Sequence, residues 1–433
     1  MQSCRITAVQ DIPIGAVGFH SSIALDSDGR PHISYYDEAN GDLRYAVWDG
    51  SAWRIETVDS VGAVGFYTSL ELDGEGNPHI SYYDNTNDDL KYARWDGVRW
   101  IIQVVDASDD VGQDTSLALD AAGNPHISYY DTTNDDLKHA RWDGARWIIE
   151  TVDATDDVGW YTSLTLDAAG HPHISYYDST NTDLKYAWWD GTRWIIETVD
   201  ANRDVGAYTS LALDAAGTPH ISYYRSTSGD LKYATRSDSR WQTQRVDKAE
   251  SVGFYTSLAL DSAGRPHISY YDADRRNLKY ATWTGDRWRI EVADSRGDRG
   301  RYTALTLDTA GNPHIAYYDA IEGDLRYAAW TGSTWNREAV DSVLADWFHL
   351  SGLGSMVVGR FDTPTTLVGS YSVVLCGNTV IIPGSSGKWE ASWQRDASAS
   401  ADNGAPSEAH LAGSILSNLH AVLSPETVSG ASG

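Results

Sequence analysis

Two sets of side chains in this sequence have the types and spacing to do chemistry. The first is carboxylate. DASDDVGQD from Asp106 and DATDDVGWY from Asp153 carry the adjacent pairs Asp109–Asp110 and Asp156–Asp157. Aspartate oxygens on loops suit calcium, a hard cation that takes about six to eight oxygen ligands. These four are therefore the candidate calcium ligands, and calcium is the one cofactor the sequence suggests, without requiring any. No stretch follows the twelve-residue EF-hand pattern. The second set is aromatic: Tyr67, Trp160, Tyr161, Tyr208, Tyr255 and Tyr302 fall at matching points along the chain. Such rings beside acidic loops make a docking surface for sugars or for a basic peptide. The alternative is that they only fill space.

The matching points come from a repeat. PHISYYD begins at Pro31, Pro78, Pro125, Pro172 and Pro266, with PHISYYR at Pro219 and PHIAYYD at Pro313. The histidines, from His32 and His79 to His314, stand 47 residues apart with no insertion or deletion. Within one unit, Val64–Asp106, four stretches have strand character: FYTSLEL, HISYYD, LKYARW and RWIIQVV. They are joined by DGEGNP, NTND and the tight DG of WDGVRW. A repeat of this length with four strands is a β-propeller blade. The fold class is all-β: a propeller of seven four-stranded blades over residues 13–341.

This architecture positions the candidate residues. Alternate loops of a meander emerge on one face, so the second-to-third strand loops share a face with the blade-to-blade connections, and that face is expected to be strongly acidic. Pairs such as Phe66-Tyr67 and Trp160-Tyr161 enter the innermost strands and should rim the central channel on that face, as a docking surface or as a plug. Each PHISYYD histidine follows the aspartate that ends the preceding strand (Asp26, Asp73, Asp120) and reads as a fastener of that hairpin. A metal site built from all seven is not expected, because neighbouring sheets lie about 10 Å apart and zinc ligands about 2 Å from the metal. The paired tryptophans of WDGxxW are expected to pack blade on blade, with glycan stacking as the alternative.

Both ends depart from the repeat. CRITAVQD at Cys4 looks like a last strand, so residues 1–12 are expected to form a closing strand. SMVVGRF, TLVGSYSVVLC, TVIIP and KWEASW make residues 342–396 β-rich. The two ends could build an irregular eighth blade, or seven blades could close alone and leave the C-terminal strands for self-association. Cys4 and Cys376, the only cysteines, form a disulfide if the ends lie side by side; two free thiols are the alternative. Residues 397–433 read as a linker and an amphipathic helix, SEAHLAGSILSNLHAVL.

Lys and Arg total 33 against 61 Asp and Glu, a formal charge of −28. That charge repels phosphate, so nucleic acid is not an expected partner. No apolar run is long enough to span a bilayer. MQSCRITAVQ lacks the pattern of a signal peptide, yet the expected location is outside the cell or on its surface.

The LDxxGxPH turn resembles the Asp-box of sialidase-like propellers. The spacing differs by one residue, and the serine and tryptophan of that box are missing. That family also uses an arginine cluster with a Tyr–Glu pair near the axis, and here only Arg301 stands at the inner rim. The chain more closely resembles seven-bladed propellers that act as lectins or scaffolds, a resemblance resting on architecture and the W-x-G-x-x-W texture. It implies multivalent recognition of a glycan or a protein partner. No catalytic residue is assigned, and the chain is expected not to be an enzyme. A self-assembling extracellular structural subunit, bridged by calcium, is the second expectation, and a sialidase-like hydrolase the third.

Overall fold

The computed structural model describes residues 16–342 apart from residue 250, together with the backbone of six later strands between 347 and 390. Ile14–Asp341 forms one compact unit and holds the propeller. Its first blade is β1 (Val17–Leu25), β2 (Pro31–Asp37), β3 (Asp42–Trp48) and β4 (Trp53–Asp59), hydrogen-bonded in chain order. Six further sheets repeat that order, so each of the seven blades comes from one continuous stretch of chain.

Burial explains why PHISYYD is written so often. β2 is buried at every position, because a propeller blade is covered on both faces. The core lies between blades: Leu90, Tyr92 and Val105 of blade two pack with Val111, Leu117, Ile127 and Tyr129 of blade three. The first tyrosine of the motif (Tyr35, Tyr82, Tyr129 and counterparts) is fully buried. Its hydroxyl therefore needs a partner. Tyr82 donates to Asp59 Oδ2 at 2.8 Å, at the end of the preceding blade, and Lys91 Nζ reaches the same oxygen at 2.6 Å.

Blade seven meets blade one directly. Tyr35 donates to Asp341 at 2.6 Å, and Trp53 Nε1 donates to Glu338 at 3.1 Å. Seven blades close the ring, so the eighth-blade alternative is set aside. The later strands instead form a six-stranded sheet in which Trp347–Gly352 pairs in parallel with Ser372–Cys376. A parallel pair cannot belong to a simple meander blade. The closing strand at residues 1–12, the helix within 397–433 and the pairing of Cys4 with Cys376 lie outside the described residues. Among the described residues, no helix is long and apolar enough to cross a membrane.

Candidate functional site

Each inner strand carries a β-bulge. In blade two the register slips between Val64 and Phe66 and again between Phe66 and Ser69. The extra residue is Tyr67, at φ 53°, in a left-handed conformation that costs a β-strand residue of order 1 kcal/mol. The same bulge recurs at His20, Asp114, Tyr161, Tyr208, Tyr255 and Tyr302, with φ between 50° and 55°. Recurrence of one strained conformation around the ring aims one side chain per blade at its neighbour's counterpart. Ring centroids follow at 4.6 Å (Tyr161–Tyr208), 4.9 Å (Tyr208–Tyr255), 4.5 Å (Tyr255–Tyr302), 4.7 Å (Tyr302–His20) and 4.5 Å (His20–Tyr67). The sequence-predicted rim tyrosines therefore come together in one collar.

Blade three breaks the collar. Asp114 occupies its seventh place, between Tyr67 and Tyr161, and its Oδ2 accepts the Tyr161 backbone N–H at 2.7 Å. Burial without a cationic partner pushes this carboxyl up to about 6, against the pull of that one hydrogen bond. Burial also lowers His20 to about 4, so the imidazole is neutral near pH 7. Behind the collar a second row packs on the preceding blade: Trp160 on Tyr130 at 4.4 Å and Phe66 on Tyr36 at 4.0 Å. Trp160 thus packs behind the collar rather than within it. Its Nε1 donates to Asp157 at 2.6 Å.

The candidate calcium ligands are placed differently from one another. Asp110 and Asp157 are tied into the blade boundaries. The Tyr83 hydroxyl lies 2.9 Å from both Asp88 Oδ1 and Asp110 Oδ1, and Tyr130 stands in the same relation to Asp135 and Asp157. Asp109 and Asp156 are exposed. Among the described residues, no group of three or more His, Cys, Asp or Glu side chains is arranged to hold a metal ion.

The face itself is less uniform than its sequence suggested. Loops and connections interlock around the rim: Val111 N donates to Asp88 O, and Thr132 N to Asp110 O. Exposed Asp88, Asp109, Asp135 and Asp156 belong to blades two to four and the connections among them. Further round, exposed Arg203, Lys248, Arg275, Arg276 and Arg296 outnumber exposed Asp274 and Glu322. Asp109, Asp156 and Arg203 share one backbone conformation, φ 68°, 64° and 64°. Equivalent positions therefore present opposite charge on the two sides of the ring.

Other predicted residues prove structural. The His32 Nδ1 bonds the Tyr45 hydroxyl on β3, while Nε2 lies 3.6 Å from Asp26 Oδ2. The histidine is a fastener as expected, but chiefly to the third strand. The Asp26 carboxylate is held by the N–H groups of Asp28 and Arg30 in the turn. Trp100 sits edge-on to Tyr45 of the preceding blade at 5.3 Å, and its Nε1 donates to Glu56 at 3.3 Å. The tryptophans pack blade on blade. At the other end of the channel, a polar cleft of about 310 Å³ is lined by Glu71, Asp73, Asp120 and Thr165.

No protein-family model matches the chain, and no curated protein matches it. Similarity appears among solved structures. Ulvanlyase, a polysaccharide lyase bound to -[GlcA(1-4)Rha3S]-, is 12% identical with a TM-score of 0.53, covering 76% of this chain and 97% of that one. Hydrazine synthase of Kuenenia stuttgartiensis is 9% identical with a TM-score of 0.52, covering 78% and 100%. A lectin of Aleuria aurantia, in complex with Fucalpha1-6GlcNAc, is 15% identical with a TM-score of 0.46, covering 65% and 96%. At identities this low, the lyase and the synthase, with TM-scores above 0.5, show a shared fold and nothing more. The shared fold still corrects the expectation that the chain is not an enzyme: a lyase and a synthase are built on the same propeller, so the fold does not exclude catalysis.

Proposed function

Taking a seven-bladed β-propeller with one broken collar as premise, we propose that this chain binds a glycan at the channel mouth, beside Asp114. The observation that carries the reading is the interruption itself. Tyr161–Tyr208–Tyr255–Tyr302–His20–Tyr67 form a continuous run of ring contacts, and a carboxylate stands where the run breaks. Aromatic rings offer stacking area to the C–H face of a sugar, and a carboxylate accepts from its hydroxyls. A second reading, a protein partner bearing a basic segment, is favoured by exposed Asp88, Asp109, Asp135 and Asp156 near the same break.

The test is a glycan array followed by calorimetry, comparing the wild type with D114Y, which supplies the missing tyrosine, and D114N. Binding should fall at least about tenfold in D114Y. It should also weaken in the wild type, but not in D114N, as pH drops through about 6, where Asp114 takes up a proton. A glycan bound equally by all three proteins would overturn this placement. Binding of a basic peptide, with no glycan bound, would favour the second reading.

A further inference from the structure

We propose that the face carrying the collar docks a second copy of this chain, about a two-fold axis that passes through blade four and the boundary of blades seven and one. The proposal rests on where charge reverses around the rim. Loops and connections alternate there and are linked by backbone hydrogen bonds such as Val158 N to Asp135 O and Val205 N to Thr182 O. Starting from the blade-four loop at Thr182, one station in either direction reaches Asp156 on one side and Arg203 on the other. Three stations reach Asp109 on one side and, on the other, Lys248, two residues before Glu250, the sequence equivalent of Asp109. Four reach Asp88 and Arg276. All six side chains are exposed.

A two-fold axis lying in the plane of the face exchanges stations at equal distance from it. Each of these three acids of one copy then meets the base of the other, each pairing occurring twice, while Asp135 faces the Ser228–Gly229 loop. Backbone conformation supports the equivalence: Asp156 and Arg203 both have φ 64°, and Asp88 and Arg276 have 60° and 56°. Among the described residues, Arg203, Lys248 and Arg276 have no acidic partner within their own chain. A sugar or a uniformly basic partner would answer the acidic half and leave these cations facing it. A second copy answers both halves.

Salt gives the association an unusual signature. Each copy carries a formal charge of −28, so whole-molecule repulsion dominates when the screening length is about 30 Å at 0.01 M salt. Near 0.15 M that length falls to about 8 Å. Distant repulsion is then screened while pairs in contact persist. Association should strengthen between these salt concentrations and weaken again by 1 M.

The experiment is sedimentation of the full chain at 10 to 100 μM, across that salt range, in roughly the regime where exposed ion pairs are measurable. Two charge-reversed variants are compared with the wild type: D88K/D109K/D156K and R203E/K248E/R276E. The wild type should dimerise. Each variant alone should dimerise at least about 30-fold more weakly, and an equimolar mixture should recover a heterodimer. D88N/D109N/D156N, in which asparagine tolerates the left-handed backbone, should weaken association without reversing charge. A wild type that stays monomeric at every salt concentration overturns the proposal. So does a mixture that fails to recover the dimer, or variants that dimerise as well as the wild type.

Discussion

Thr68 Oγ1 donates to Ser34 Oγ at 2.7 Å across the boundary of blades one and two, and a serine–threonine pair of this kind sits at six of the seven boundaries. At the seventh, Ala316 faces Ser21, whose hydroxyl turns to the Tyr302 carbonyl at 2.7 Å. A second series stops at the same place. Ser22 accepts the Leu70 N–H at 3.0 Å, and its counterparts do likewise as far as Ser257 and Leu305. Ala304 has no hydroxyl to offer blade one. The first and last blades meet at the boundary with fewest of these bonds.

Restoring them should strengthen the ring. A304S/A316S is expected to add about 1–2 kcal/mol, at roughly 0.5–1.5 kcal/mol per hydrogen bond, and to raise the thermal midpoint by a few degrees. In the wild type, hydrogen exchange should be fastest, among the inner strands, in the first and seventh blades. Uniform protection around the ring would show that the missing bonds do not matter.

The boundary between blades two and three predicts a graded loss. Asp106 accepts the Tyr129 hydroxyl at 2.7 Å and the Lys138 ammonium at 2.9 Å. Y129F removes one bond to a buried charge, about 1.5–3 kcal/mol. K138M leaves a carboxylate without its cation, about 3–5 kcal/mol. Burial pushes Asp106 up, but Ser108, Tyr129 and Lys138 together hold it below the usual carboxylate range. The stabilisation is therefore complete above about pH 4 and lost as pH falls through the lowered value. Denaturant titrations of both variants should rank K138M as the less stable; equal midpoints would sink the argument.

Blade three should also be the first to respond to acid. His139 replaces the tyrosine that fastens the PHISYYD histidine elsewhere. It lies 3.2 Å from His126 and 3.1 Å from Glu150 Oε1, under Trp194. Burial, then the neighbouring His139, lowers His126 to about 4, with Asp120 and Glu150 opposing and Arg141 assisting. Burial lowers His139 as well, against Glu150. Depressed histidines stabilise the fold above the unfolded value near 6.5, and that stability is lost as pH falls toward 4. H139Y should therefore leave stability at pH 7.5 equal or higher and make it less dependent on pH between 6.5 and 4.5. An unchanged pH profile, read by thermal melts, would contradict this.

Period and blade content were legible because an exact 47-residue repeat forces the same burial on every copy. Hydroxyl partners were not, since Tyr82 and Asp59 belong to different blades and no local pattern joins them. The collar was half legible. Aromatic residues at matching positions announced a ring, but the bulge that turns Tyr67 inward depends on φ 53°, which sequence does not display. Charge was misread for a related reason: the total of −28 hid the change from Asp109 to Arg203 at one structural position. The role of the recurring Val-Gly dipeptide was also not visible.

That dipeptide supports the most discriminating stability test. Gly112 lies at φ 108°, and a Cβ there would stand 2.8 Å from both Cα and Cβ of Leu90 on the preceding blade. The neighbour is backbone and cannot swing away. Gly123, at the turn of the same blade, has φ 79° and nothing within 4 Å of a built Cβ. G123A should cost only the left-handed backbone preference, about 1–2 kcal/mol. G112A adds a clash in a close-packed boundary and should cost about 3 kcal/mol or more. Denaturant midpoints of the two variants separate conformation from contact. If G112A were no worse than G123A, close approach of blades would not be what fixes glycine at this point of every repeat.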